Sequence, residues 1–354
     1  MSEIVALLQS IAAVVSRTGL RQMSQVIYGL LISNGRLTML EISRWTERGG
    51  SYRTIQRWYH SQLIWLQIMW ILFTSQLWKA GHEYIAAGDE VVFGKAGKET
   101  HGVGYFFSGL QQRVMPSLSF FVFSLIDIQE RQSYPIQVVQ MVKEEGEKTK
   151  KDKVKPAKGK RPVGRPKGSK NKKDEKPTLS PELLRIQSVL QAFLAVLAGV
   201  LSIHYLVLDG HFGNYPSAWM VVQTGLHFVS KLRWDAALYE LFTGTYRGHG
   251  PHPKYGDKVD VRQMKKEDLK SDTVEDGIRT QIYQATLLNK EFTFPINVVV
   301  ILKTNLSTKT QAHVILFSTD LALSYERIID YYSLRFQIEF RLRRPGCQTV
   351  LGLG

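Results

Sequence analysis

Three acidic residues stand where a side chain can enter a reaction. Asp89 follows the apolar run Tyr84-Ile85-Ala86-Ala87. Asp209 ends His204-Tyr205-Leu206-Val207-Leu208 and precedes Gly210-His211-Phe212, and Glu339 lies on the last helical stretch. A carboxylate at the end of a buried strand projects into the crevice where α/β folds assemble active sites. Taken singly, each has an ordinary reading: Asp89 as a turn residue, Asp209 as a helix cap, Glu339 as half of a surface ion pair.

Two further groups of residues suit a polyanion. Leu37 to Trp45 has the pattern of a short helix, Glu47-Arg48-Gly49-Gly50 that of a turn, and Ser51 that of a cap for a second helix, Tyr52 to Tyr59. Residues 37–60 therefore have the order of a helix-turn-helix. Its second helix would present Arg53, Gln56 and Arg57, residue types that meet phosphates and base edges in a major groove. A helical hairpin with a solvated basic face fits the same pattern equally well. Residues 143–176 hold fifteen Lys or Arg against six Asp or Glu, a surplus of nine within the chain's net charge of +15. With almost no apolar side chain, this stretch cannot pack a core and is expected to be disordered without DNA. At its centre, Arg161, Arg165, Lys167 and Lys170 flank Gly164 and Pro166 in an AT-hook-like order. Such a segment either lies in a narrow A·T-rich minor groove or, the favoured reading, makes sequence-independent phosphate contacts.

The elements that must position these groups follow from periodicity. Residues 1–80 read as helical, with apolar positions at helical spacing through Ile4 to Val15 and Met23 to Ile32. From His82 the texture is that of strands: Tyr84 to Ala87, Val91 to Phe93, Gly102 to Phe107, Leu118 to Ile126 and Pro135 to Val142. After the basic stretch, a buried helix from Leu183 turns at Ala198-Gly199 into a buried strand, Ile203 to Leu208. A helix from Tyr215 and a strand His227 to Leu232 follow. Residues 243–280 are polar, with Gly248 to Pro253 marking loops. Strands return at Gln281 to Leu287, Ile296 to Lys303 and Ala312 to Ser318, before a final helix beginning near Ser324.

With 44% hydrophobic and 11% aromatic residues over 354 positions, the composition excludes wholesale disorder and leaves room for two domains. Cys347 is the single cysteine, so an internal disulfide and a cysteine-based zinc site are both excluded. No secretory signal opens the chain. Two uncharged stretches, Ser188 to Leu208 and Trp58 to Trp78, approach the roughly 20 residues that span a bilayer. Their internal Gln, Ser and His residues argue for buried protein segments instead, and no membrane association is expected.

The stretch Tyr332-Ser333-Leu334-Arg335-Phe336-Gln337-Ile338-Glu339 reads as Tyr, two residues, Arg, three residues, Glu. It resembles the Y-R-E-K signature of the insertion-sequence-four family of DDE transposases, with Ser324 to Tyr331 as the lead-in. Gly88-Asp89-Glu90-Val91-Val92, Gly102-Val103-Gly104 and Leu208-Asp209-Gly210-His211-Phe212 extend the resemblance over residues 84–340. It implies an α/β fold with an RNase H-like catalytic core, a β-rich insertion, and an α-helical N-terminal DNA-binding domain over residues 1–80. The core would comprise residues 81–142, 181–240 and 306–354, interrupted by the basic insert 143–180 and the β-rich insertion 241–305.

The resemblance further implies that Asp89, Asp209 and Glu339 are catalytic and bind two Mg²⁺ ions, with Mn²⁺ as a substitute. Hard oxygen ligands hold such ions with sites open for phosphate oxygens and water. Tyr332, Arg335 and Glu339 share one helix face at offsets of three and four. Arg335 would grip a DNA phosphate and Tyr332 would stack or hydrogen-bond beside the same strand. The implied activity is cleavage and strand transfer of double-stranded DNA, at an element's terminal inverted repeats and in a target, by a homodimer in the bacterial cytoplasm.

One departure stands against this pattern. The signature's Lys is expected seven residues after Glu339, where Gly346 stands, and Arg341 to Gly354 does not continue a helix. Codons for Gln348 to Leu353, read one base later, can encode Lys-Gln-Phe-Trp-Gly-Leu, so the expectation is a frameshifted tail and an inactive copy that still binds DNA. The competing readings are a non-catalytic DNA-binding remnant and an RNase H-like nuclease that cuts without joining.

Overall fold

The computed structural model describes residues 2–32, 38–45, 51–95, 97, 99–109, 111–142, 176–246, 248 and 252–338. Its centre is a long antiparallel pair. Strand β1 (Tyr84–Gly94) runs beside β3 (Arg113–Asp127) from Tyr84↔Asp127 to Gly94↔Ser117. On the far side of β3, β4 (Gln132–Gln140) pairs with its inner part and β2 (Gly104–Ser108) with its outer end. On the other side of β1, β5 (Tyr205–Val207) and then β6 (His227–Lys231) join in parallel.

This core is covered on both faces, as parallel strands require. Alternate residues sort to opposite sides. Ala86, Leu206 and Phe228 pack with Leu190 and Phe193 of α6 (Pro181–Leu197) and Ala218 and Met220 of α7 (Tyr215–Val222). Ala87, Val207 and Val229 pack with Ile328, Tyr331 and Leu334 of α8 (Tyr325–Leu334). Ser324 caps α8 by accepting a hydrogen bond from the Arg327 N–H. Gly199, at φ +83°, ends the turn after α6, at the place expected from Ala198-Gly199.

Between β6 and α8 the chain adds β7 (Leu238–Leu241), β8 (Tyr255–Lys258), β9 (Leu269–Glu275), β10 (Ile278–Asn289), β11 (Ile296–Asn305) and β12 (Gln311–Ser318). They extend the sheet past β6 in the order β12, β11, β10, β7, β8, with β9 against β10. Three antiparallel strands followed by two parallel ones, flanked by helices, form the α/β, RNase H-like core expected from the sequence.

The N-terminal helices α1 (Ser2–Gln9), α2 (Arg17–Ile32), α3 (Met39–Trp45), α4 (Tyr52–Tyr59) and α5 (Trp65–Gln76) have their own core around Ile11, Val26, Ile42, Ile55 and Trp58. Helix α5 joins the two cores, giving Ile68 to the helical one and Trp70 and Phe73 to the sheet. At the start of α3, the Thr38 N–H donates to Glu41 Oε2 (2.8 Å) and the Glu41 N–H to Thr38 Oγ1 (3.1 Å), a reciprocal cap.

Several sequence expectations are corrected. The two strands expected on either side of Asp89 are one, because pairing with β3 continues unbroken through it. Within the polar residues 243–280 no individual strand was expected, yet they contain β8 and β9; β9 is an edge strand, largely solvent-exposed, and so lacks the apolar alternation that marks a strand. Ser51 stands at the N-cap of α4 but its hydroxyl makes no cap hydrogen bond. The turn expected at 47–50 lies outside the described residues. Among the described residues, no helix is long and apolar enough to cross a membrane.

Candidate active site

The register of the parallel pair brings the two aspartates together. Ala86 lies opposite Leu206 and Ala87 opposite Val207. Pairing ends there, and Asp89 and Asp209 each stand two residues beyond it, past the paired part of neighbouring strands. Both have the parity of Ala87 and Val207, so both face α8. Asp89 is a mid-strand residue of β1, but it lies just beyond the last residue paired with β5. The carboxylate is therefore at the parallel strand end even though its own strand runs on.

Helix α8 buries Tyr331 and Leu334 against the sheet, and Ile338 beyond its end joins the same cluster. That face turns Arg335 toward Asp89, with Nη1 3.0 Å from Oδ2. Asp89 is 9% and Arg335 5% exposed. An ion pair so buried contributes only while both partners remain, because either charge left alone in a low-dielectric site is strongly unfavourable. The guanidinium also lies 4.6 Å from the Phe336 ring centre and 5.8 Å from that of Tyr332. Arg335, expected to grip a DNA phosphate, is thus turned to Asp89. Asp89 Oδ1 also accepts the Glu90 N–H at 3.0 Å.

Asp209 begins a single 3-10 turn, Gly210–Phe212, and its carboxylate accepts the His211 N–H. The capping role and the site position belong to the same residue. Its carbonyl accepts the Ser230 hydroxyl at 2.8 Å, which ties the turn to β6. Gly213 ends the turn against the Lys231 carbonyl, where an added Cβ would stand 1.9 Å from the oxygen.

Beside Asp209 opens a cavity of about 360 Å³ lined by Lys231, Arg233, Trp234, His313 and Tyr332 among others. Arg233 is held by Asp235 through two contacts of 3.0 Å, and a ring nitrogen of His313 meets the Trp234 carbonyl at 2.8 Å. Burial pushes the Tyr332 hydroxyl above its usual range; Arg335 pulls it down, while Asp209 and Asp89 both push it up. One phenol therefore senses both carboxylates.

Lys231, Arg233 and Trp234 were missed in the sequence. Their signal was present: Lys231-Leu232-Arg233-Trp234 closes the strand His227 to Leu232, at the same sheet edge as Asp209. On α4, Arg53 and Arg57 are exposed and Gln56 half-buried, opposite the buried Ile55 and Trp58. Glu339, Arg161, Arg165, Lys167 and Lys170 lie outside the described residues. Among the described residues, no three His, Cys, Asp or Glu are grouped to hold a metal ion.

No curated protein matches the chain. The model of the DDE superfamily endonuclease family matches residues 10–288, which include both aspartates, the helices α2 to α5 and most of the sheet. Covering more than three quarters of the sequence, that match makes the chain a member of the DDE superfamily endonuclease family.

Proposed function

We propose that this endonuclease-family chain is a DNA transposase of the insertion-sequence-four type, cutting DNA at the ends of its element and joining the freed ends to a target, as a homodimer on DNA. The observation that carries the reading is the register of β1 and β5. It supports Asp89 and Asp209 as neighbours past the paired strand ends, on the face where α8 supplies Tyr332 and its C-cap Arg335.

The donor set suits a divalent cation, since two carboxylates on adjacent strands offer the hard oxygens that Mg²⁺ and Mn²⁺ prefer. Asp89 and Asp209 would hold it, with Glu339 the third ligand by the resemblance to the Y-R-E-K signature. Bound there, two such ions would activate an attacking oxygen and stabilise a leaving one.

The protein's own groups do the rest. Arg335 fixes the Asp89 carboxylate and offsets the repulsion between two anions at one strand end. The 3-10 turn and Ser230 fix Asp209. Lys231 and Arg233 give the cavity beside Asp209 a positive wall for the DNA backbone, and Tyr332 its hydroxyl. In the first step, water attacks the phosphorus and the P–O3′ bond breaks, leaving a 3′-hydroxyl. In the second, that hydroxyl loses its proton, attacks a target phosphodiester and displaces the target's own 3′-oxygen.

Nicking of supercoiled plasmid in Mg²⁺, followed by detection of joined strands, tests the proposal. With the tail's reading frame restored as expected from the sequence, the chain should nick; as written it should bind DNA and nick little. Asp89→Asn and Asp209→Asn should each lose roughly a thousandfold or more in rate while still binding DNA. Nicking that survives both substitutions overturns the site. Nicking without joined products overturns the transposase reading in favour of a nuclease, and DNA binding without nicking by the frame-restored chain overturns it in favour of a non-catalytic DNA-binding protein.

A further inference from the structure

Beyond Gly94 the sheet narrows to a two-stranded ribbon, β2 with the outer end of β3. Its cross-strand pairs alternate. Phe106↔Met115 turns inward, whereas Tyr105↔Pro116 and Phe107↔Val114 face solvent. Tyr105 is 67%, Phe107 55% and Val114 60% exposed. Four apolar side chains in two facing pairs are an unusual surface to leave to water.

The placement of this face points to its occupant. Paired residues share a side of a sheet, and Asp89 pairs with Val122. Val114 and Pro116 have the parity of Val122, and no register shift interrupts β3 along β1. The exposed ribbon face therefore continues the face that carries Asp89, in the direction in which β1 leaves the active site. At about 3.4 Å per residue, Tyr105 lies about 20 Å and Phe107 about 27 Å beyond Asp89, or roughly six and eight nucleotides of a strand.

No Asp or Glu occurs from Gly104 to Ile126, whereas Lys95, just past the end of β1 and with the parity of Asp89, is cationic. Successive outward rings on one strand are about 6.8 Å apart, twice the spacing of stacked bases, so one base fits between Tyr105 and Phe107.

We propose that the outer face of the β2–β3 ribbon binds the DNA strand leaving the active site, stacking unpaired bases on Tyr105 and Phe107 while Lys95 meets the phosphates. This rests on the proposed function for the direction of the DNA, but it is measured without cleavage.

The test is equilibrium binding of the full chain to a fully paired duplex and to the same duplex with a frayed end, in the absence of divalent metal. The unaltered chain should prefer the frayed end. The double variant Tyr105→Ser, Phe107→Ser should lose that preference, roughly tenfold per ring, while its binding to paired duplex and its melting temperature stay unchanged. A photo-crosslinking side chain in place of Phe107 should attach to DNA bases, and one in place of Val274, equally exposed on β9, should not. An unchanged preference, equal attachment from both positions, or crosslinks joining two copies of the chain would each overturn the proposal. A protein that passes these tests yet never nicks with its reading frame restored overturns the transposase reading alone; one that nicks but fails them overturns the ribbon alone.

Discussion

Gly213→Ala should disable the site without touching a carboxylate. Gly213 has φ −71° and ψ +52°, so the substitution brings no left-handed backbone strain. The whole effect comes from the new Cβ, which would stand 1.9 Å from the Lys231 carbonyl oxygen and 2.9 Å from its carbon. Real Cβ contacts begin near 3.0 Å, so the loop or the strand end must move by about 1.1 Å. Neither neighbour is a flexible side-chain end; both are backbone of β6, whose Ser230 also holds the Asp209 carbonyl. Overpacking of this kind destabilises by about 1–3 kcal/mol. A displacement of about 1 Å at Asp209 should slow the reaction roughly a hundredfold. Plasmid nicking and thermal unfolding measure the two effects, with Gly210→Ala as the control. Its Cβ would meet Lys231 at an ordinary 3.5 Å and should leave both nearly unchanged. A Gly213→Ala protein that nicks and melts like its parent, or a Gly210→Ala protein equally impaired, would show that the close approach to Lys231 does not position Asp209.

Replacing Arg335 with Met should destabilise the chain by about 3–5 kcal/mol, because Asp89 is left buried without its partner, and Arg335→Lys should recover part of that in urea unfolding; equal stability of all three proteins would refute the coupling. Burial works to raise the Asp320 carboxyl, but the Tyr205 hydroxyl at 2.6 Å and the Ala322 N–H hold it below its usual range, while burial and Asp320 push the Tyr205 hydroxyl up. The carboxyl's contribution is therefore complete above the ordinary carboxylate range and lost as pH falls through the lowered value; the phenol's is lost only as pH rises through the raised one. Tyr205→Phe should cost about 1 kcal/mol near neutral pH, a gap that closes in acid, and unfolding curves with a constant gap would contradict it. Deleting residues 143–176 should flatten the plot of log DNA affinity against log salt, since nine of the fifteen net charges go with them; an unchanged slope would refute that role.

Local chemistry made much of this protein legible. The run Tyr205 to Leu208 is apolar on both sides because its strand is covered on both sides, so Asp209 announced itself as the first polar group past a buried strand. Ser324 placed the start of the last helix, since a cap is written in the residues beside it; the helix ends at Leu334, so Arg335 stands at its C-cap, and Glu339 lies outside the described residues. The turn Asp276-Gly277, both residues at positive φ, was an available hairpin signal for β9 and β10 amid polar sequence.

What no spacing contains is which strands meet and in what register. The pairing of Ala87 with Val207 joins residues 120 positions apart, and only that pairing makes Asp89 a partner of Asp209. The antiparallel run of β1 along β3 put Asp89 inside a strand, turned Arg335 of α8 onto its carboxylate and carried Tyr105 and Phe107 onto its face of the sheet. The sequence by itself determined the type and buried side of the elements whose burial alternates along the chain, because those follow from neighbours a few residues away. The tertiary structure alone decided which carboxylates, cations and rings share a surface, because strand pairing is settled by contacts between distant segments.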